Sequence, residues 1–335
     1  MFLKNTWYVA AWSHEITADG LFQRSVCSQS LLFYRTADGT VVALDNRCCH
    51  RHAPLSLGRK EGDCVRCMYH GPKFDAHGVC VEIPGQNAIP TAARVRAYPV
   101  VERRQWVWVW MGDPARADAA LIPDTVALDH PDWRYKPAYL HYQASHELIS
   151  DNVLDFSHLS YVHEKTLGGA TAIAATRPKI ELLDNGVRIT REVRDAPLAP
   201  YFRQFVRMPA IVDRTWIYEY LVPGVLLLET RATARQAAAG EADFMSLLSC
   251  QAITPETAGS AHYFFMQAHS FARDDANVTE TIYQSVMAAF AEDKRIVEAQ
   301  HALISTTPPA EMLGLPFDLG VVQFRRLMER RRAAD

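Results

Sequence analysis

The chain has 335 residues, 49% of them apolar and 22% charged, with a formal net charge of −3. That balance suits a globular protein of about two domains with a sizeable core, and it excludes the strong basic field of a nucleic-acid binder. The longest apolar runs fall far short of the roughly 18 residues a membrane helix needs. Lys4, His14 and Glu15 interrupt the stretch where a signal peptide would need an apolar run, so a cytoplasmic protein with no membrane partner is expected.

Residues 1–112 read as β-rich. Short runs of β-branched, aromatic and Leu residues at 31–34, 41–44 and 107–110 are bounded by turn formers such as Asp38-Gly39 and Gly112-Asp113-Pro114. Short strands at close spacing predict a small sandwich or barrel. Four of the seven cysteines, Cys48, Cys49, Cys64 and Cys67, lie within 20 residues of one another. Residues 113–132, rich in Ala, Asp and Pro, read as a connector. A helix is expected over 144–164 and a longer one over 279–304. Between them lie strand-like stretches at 187–193, 216–221, 225–230, 244–252 and 261–269, a pattern of α+β type. Residues 168–176, rich in Gly, Ala and Thr, read as a mobile loop. Five arginines between 325 and 332 form a solvated helix face or a partner contact.

The cysteine cluster carries a pattern. Cys48-Cys49-His50 is followed, after 16 residues, by Cys67-Met68-Tyr69-His70, a C-x-H…C-x-x-H arrangement of two loops. Each loop offers one thiolate and one imidazole. Thiolates suit the ferric iron of a sulfide-bridged cluster, and neutral imidazoles on the second iron raise its reduction potential. A zinc site is the alternative, but zinc fingers usually present a Cys pair and then a His pair. Cys49 and Cys64 read as bystander thiols.

A second constellation lies downstream. Asp155 and His158, spaced i,i+3, share a helix face. His158 and His163 lie about 140° apart on an ideal helix and converge only if that helix ends or bulges before His163. In the helix over 279–304, the apolar stripe Ile282, Val286, Ala289, Ile296, Val297 contains Asp293. A carboxylate on a buried stripe is costly unless paired or bound to metal. Two histidines and a carboxylate make the facial triad of non-haem Fe(II) oxygenases.

With Arg51-His52-Ala53-Pro54-Leu55 and Tyr69-His70-Gly71 flanking the two loops, residues 45–85 resemble the cluster-binding part of a Rieske domain. Ala53 and Pro54 stand where respiratory Rieske proteins carry an extra cysteine, so the resemblance is to the oxygenase type. The whole chain resembles the Rieske non-haem iron oxygenases. Within them it is most similar to the short group typified by vanillate O-demethylase, dicamba monooxygenase and toluenesulfonate methyl-monooxygenase. Asn5-Thr6-Trp7-Tyr8-Val9-Ala10, Glu82-Ile83-Pro84-Gly85-Gln86, Trp108-Val109-Trp110 and Ile253-Thr254-Pro255-Glu256-Thr257 carry the likeness.

The resemblance implies an α+β chain: an all-β Rieske [2Fe–2S] domain over 1–112, then a helix-grip catalytic domain over 113–335, its antiparallel sheet curving around a long helix. It implies Cys48 and Cys67 on one cluster iron, His50 and His70 on the other. It implies His158, His163 and Asp293 on a mononuclear Fe(II), with Asn152 near that iron. Asp155 would bond His158 of its own chain and His70 of a neighbouring copy in a head-to-tail trimer, relaying electrons between subunits. The absence of a G-x-G-x-x-G motif points to a separate NAD(P)H-dependent reductase, with or without a ferredoxin domain.

The expected activity is O2-dependent O-demethylation or methyl hydroxylation of an aromatic acid. The alternatives are cis-dihydroxylation of an aromatic ring, which uses the same metals, and a Rieske ferredoxin that only carries electrons. Aromatic and apolar residues at 216–228 and 244–253 would line the pocket, with 168–176 as a lid and Gln251 pointing inward. An arginine among Arg203, Arg207 and Arg214 could pair a substrate carboxylate or sulfonate, although each taken singly reads more readily as solvated surface.

Overall fold

The computed structural model describes residues 2–334, and every element and count given is of those residues. Contacts divide the chain into two compact units, residues 2–122 with 254–258, and residues 123–253 with 259–334.

The first unit is built from short antiparallel strands. Thr6–Trp12 pairs with Trp106–Met111, which pairs in turn with Val100–Arg103. A four-stranded sheet orders Phe22–Val26, Gln29–Arg35, Val41–Asp45 and Ala97–Tyr98. A smaller one orders Arg59–Glu61, Cys64–Arg66, Lys73–Phe74 and Cys80–Glu82. The expected strands at 31–34, 41–44 and 107–110 lie inside these. Trp106–Met111 is buried at every position, so it reads as an unbroken apolar run rather than an alternating one. One core cluster packs Leu32, Leu44, Leu55, Val65 and Phe74 around Cys48 and Cys67. The connector forms 3-10 turns at Pro114–Arg116 and Ala119–Leu121, where Asp113 and Asp118 accept from the N–H two residues on.

The second unit is a seven-stranded antiparallel sheet. Its order is Ala138–Tyr142, Ser260–His269, Phe244–Thr257, Val225–Thr233, Ile211–Leu221, Gly186–Pro197, Lys179–Leu183. Strands Ala138–Tyr142 and Lys179–Leu183, at the two edges, were not expected from the sequence. Helix α1 spans His146–Leu154, α2 Ala172–Ala175, α3 Ala276–Thr306 and α4 Leu319–Ala333. Phe290 of α3 packs against Tyr263 and Phe265 of the sheet, ring centroids 5.5 and 4.6 Å apart. Asp275 starts α3 by accepting from Asn277 N.

Three expectations need correction. The single helix over 144–164 is two pieces: α1 ends at Leu154, and Asp155 caps a separate 3-10 helix, Phe156–Ser160, by accepting from Ser157 N. Ile296 leaves the apolar stripe of α3 and is 44% exposed. The segment 168–176 is not a free loop: it contains α2, whose Ile173 is fully buried. Gly168 is required there, because a Cβ would lie 1.8 Å from Leu159 O. Two buried arginines hold the segment to the sheet. Arg191 donates to the carbonyls of Ile173 and Thr176, and Arg214 to those of Leu167 and Gly168.

The arginine-rich tail is α4. Arg325 pairs with Asp151 and Arg332 with Glu147, both on α1. No helix of the described residues is long and apolar enough to cross a membrane.

Candidate active site

The first group of candidate residues sits on two loops of like construction. In one, His52 N donates to Cys48 O and Cys48 N to Ala53 O; in the other, Gly71 N donates to Cys67 O and Cys67 N to Pro72 O. Each loop closes on a residue of left-handed conformation, His52 at φ 58° and Gly71 at φ 87°. At Gly71 a Cβ would also stand 2.5 Å from Pro84 Cγ, so only glycine fits. Arg66, braced by Glu61 and Glu82, donates to Gly71 O and fixes the second loop.

The thiols and imidazoles separate by depth. Cys48 and Cys67 are buried, while His50 and His70 are exposed with ring centroids 4.7 Å apart. Burial pushes the Cys48 thiol up to about 11, and the neighbouring Cys67 sulfur adds to the effect. The two sulfurs lie close enough to interact, and a metal cluster would take both as thiolates. The donor set fits a cluster held by two inner sulfurs and two outer imidazoles. Cys49 is exposed and Cys64 half-buried on the strand before Cys67.

The second group lies in the other unit. His158 comes from the 3-10 helix, His163 from the turns after it, and Asp293 from the middle of α3. The break after Leu154 is what lets the two histidines converge. One ligand atom from each residue lies within 4.8 Å of the other two. Asp293 Oδ1 is 3.6 Å from His158 Nε2, and Oδ2 is 3.1 Å from His163 Nε2. Asn152 of α1 donates to Asp293 Oδ1 at 3.1 Å. All three residues thus turn a lone pair toward one point, and the set can hold a divalent metal.

Their outer nitrogens are fixed as well. His158 Nδ1 lies 2.6 Å from Asp155 O, the main-chain carbonyl rather than the carboxylate. The Asp155 carboxylate instead accepts from Ser157 N and Oγ and has Arg191 Nη2 at 3.5 Å. His163 Nδ1 lies 2.8 Å from Glu292 Oε2, which also accepts from Thr166 Oγ1. Glu292 was not foreseen. Its only sequence signal is adjacency to Asp293, which on a helix turns it 100° away. Burial lowers the pKa of His158, whereas at His163 burial is outweighed by the carboxylates of Asp293 and Glu292 and the pKa rises.

A cavity of about 50 Å³ adjoins the group. His158, His163 and Asp293 form part of its lining; Trp216, Phe156, Phe290 and Tyr263 give it aromatic walls. Gln251 lines it too, as expected, and accepts from Tyr263 Oη. Arg203 and Arg207 are exposed and stand apart from the cavity, but Arg214 is buried in its wall. Of the segment 168–176, no residue lines the cavity; the wall comes from Leu167 just before it.

Comparison with known proteins agrees with both halves of this arrangement. Residues 6–99 match the Rieske [2Fe–2S] domain, and residues 142–334 match the vanillate O-demethylase oxygenase C-terminal domain. The chain is 45% identical to the toluene-4-sulfonate monooxygenase system iron-sulfur subunit of Comamonas testosteroni, over 98% of this chain and 97% of that one. It is 33% identical to a vanillate O-demethylase oxygenase subunit of a Pseudomonas species, over 100% and 96% of the two chains. The crystal structure of dicamba monooxygenase bound to dicamba superposes with a TM-score of 0.88 at 30% identity, covering 99% of this chain and 98% of that one. A Rieske ferredoxin has no need of the second domain, and a structural zinc protein has no need of either. The chain belongs to the Rieske non-haem iron oxygenases and is a monooxygenase-type oxygenase component of the vanillate O-demethylase group.

Proposed function

We propose that this chain inserts one oxygen atom from O2 into a methyl or methoxy group of an aromatic acid, with electrons from a separate NAD(P)H-dependent reductase. The observation that carries the reading is a two-histidine, one-carboxylate set opening onto an aromatic-walled cavity. The toluene-4-sulfonate relative points to a methyl-substituted arenesulfonate as the first substrate class to try.

In this reading residues 1–112 form the cluster domain and 113–335 the catalytic domain. Cys48 and Cys67 hold one cluster iron, His50 and His70 the other. His158, His163 and Asp293 hold the mononuclear iron. When bound, the cluster would supply single electrons and the mononuclear iron would supply the activation of O2. The chain's own residues do the rest. Glu292 fixes the ring of His163 and the Asp155 carbonyl fixes that of His158, so that each presents Nε2 inward. Asn152 restrains Asp293 through Oδ1. Trp216, Phe156 and Phe290 hold an aromatic ring beside the metal and exclude water.

Asp155 keeps 15% of its side chain exposed and is our relay residue. We place it opposite His70 of a neighbouring copy in a head-to-tail trimer, a heterologous interface closed by threefold symmetry.

The test couples the iron-replete protein to a reductase and NADH and offers toluene-4-sulfonate, 4-methylbenzoate and vanillate. Hydroxymethyl product or formaldehyde in step with O2 consumed supports the reading. A cis-diol product replaces it with ring dihydroxylation. No O2 uptake on any aromatic acid, with the cluster reduced, overturns it.

A further inference from the structure

Two arginines lie fully buried in the catalytic sheet, and they are not equivalent. Arg191 and Arg214 sit on adjacent strands, each with about 1% of its surface exposed. Both clamp carbonyls of the segment around 167–176. Arg191 has a counter-charge, the Asp155 carboxylate at 3.5 Å, and does not line the cavity. Arg214 lines the cavity and forms no ion pair with any carboxylate of the described residues. Of its five N–H groups, Nη1 uses one on Gly168 O at 2.5 Å and Nη2 one on Leu167 O at 2.7 Å. The Nε–H has no acceptor. The ring of Trp216 lies 4.7 Å from the guanidinium carbon and supplies only a quadrupole.

Burial of a charge without a partner is costly. It lowers the Arg214 pKa to about 10, and the group is still a cation at neutral pH. The two carbonyl contacts do not require that charge, since a neutral amide could donate to them. The cavity side of Arg214 is also where neutral polar groups gather: Tyr201, Gln267 and Thr230 share the lining.

We propose that Arg214 is the specificity-determining residue that recognises the oxyanion of the substrate, a sulfonate or carboxylate carried on the aromatic ring. The substrate supplies the counter-charge that the chain withholds. This rests on the reading of the cavity as the substrate site. Anchoring the acid group at Arg214 directs the opposite end of the ring toward the remaining walls, so charge recognition also sets which carbon is presented.

The experiment measures binding rather than turnover, by calorimetry on the iron-loaded protein. The probes are toluene-4-sulfonate, 4-methylbenzoate and toluene-4-sulfonamide, which has the sulfonate's shape but is neutral at neutral pH. Wild type should bind at least one of the two anions about 10-fold or more tighter than the sulfonamide. Arg214→Gln should weaken that anion by about 10- to 150-fold, the range for a hydrogen bond to a charged group, and leave the sulfonamide within about 3-fold. Arg214→Lys should restore part of the anion affinity. Equal binding of anions and sulfonamide by wild type, or an equal loss of all probes in Arg214→Gln, overturns the proposal. If Arg214→Gln does not fold, equal binding by wild type still overturns the proposal, and Arg214→Lys tests the residue itself: a preference for the anion as large as in wild type overturns it. If wild type binds none of the three, the aromatic-acid reading of the cavity fails, and Arg214 with it.

Discussion

Glu292→Gln tests whether the outer contact of His163 governs the metal. Glu292 Oε2 is 2.8 Å from His163 Nδ1 and 3.0 Å from Thr166 Oγ1. Glutamine keeps an oxygen acceptor of the same reach, so the substitution removes the charge and little else. Outer contacts to a metal-bound histidine are worth about 10- to 100-fold in metal affinity. His163 is 1% exposed, which favours the upper end, but the Glu292 side chain is 34% exposed, so water screens part of its charge. The expected loss is therefore about 10- to 30-fold, roughly 1.4–2 kcal/mol. The assay is retention of mononuclear iron against chelators of graded strength, with the cluster absorbance as internal control. Iron affinity within about 2-fold of wild type would show that packing alone orients His163, and the reasoning would fail.

Asp293→Ala should abolish substrate oxidation while the cluster spectrum survives, since Asp293 belongs to the other unit; spectroscopy and O2 uptake on one preparation check both. Cys67→Ser should lose the cluster, whereas Cys49→Ser should keep it, because Cys49 is exposed and Cys67 buried in the loop core; iron and sulfide content distinguishes them. Ile173→Ala should destabilise the catalytic unit by about 2–5 kcal/mol, read by denaturant unfolding, because Ile173 is fully buried beneath the clamped segment. His146 has its pKa pushed down to about 4, chiefly by burial. The unfolded chain binds that proton first, so stability should fall as pH drops from about 6.5 toward 4, and His146→Gln should flatten the curve in that window.

Much of the site was legible because its residue types are chemically rare in that arrangement. The alternation of Cys and His over two loops admits few functions, and Asp293 was conspicuous as a charge within an apolar stripe. The strand alternation was legible too, but its consequence for arginine was missed. Val212, Arg214, Trp216, Tyr218 and Tyr220 all fall on the inward face of Ile211–Leu221, so the period-2 rule already placed Arg214 inside. Residue type argued for solvent and residue position for burial, and position won.

The break after Leu154 carried a weak signal, an Asp two residues before Ser157 that caps a new turn, with no Gly or Pro to mark it. The ordering of 168–176 carried none. It comes from guanidinium groups supplied by strands 15 to 47 residues away, and a local reading of small residues cannot register a distant clamp.

Helix α3 has a mechanical consequence. Phe290, which walls the cavity, and Glu292 and Asp293, which address His163 from either side, fall within one turn of a 31-residue rod. A rod of that kind moves as a whole, so a ring pressing on Phe290 also displaces both carboxylates. The filling of the pocket and the symmetry of the ligand field are then one coordinate, and the spectrum of the metal becomes a gauge of what the pocket contains.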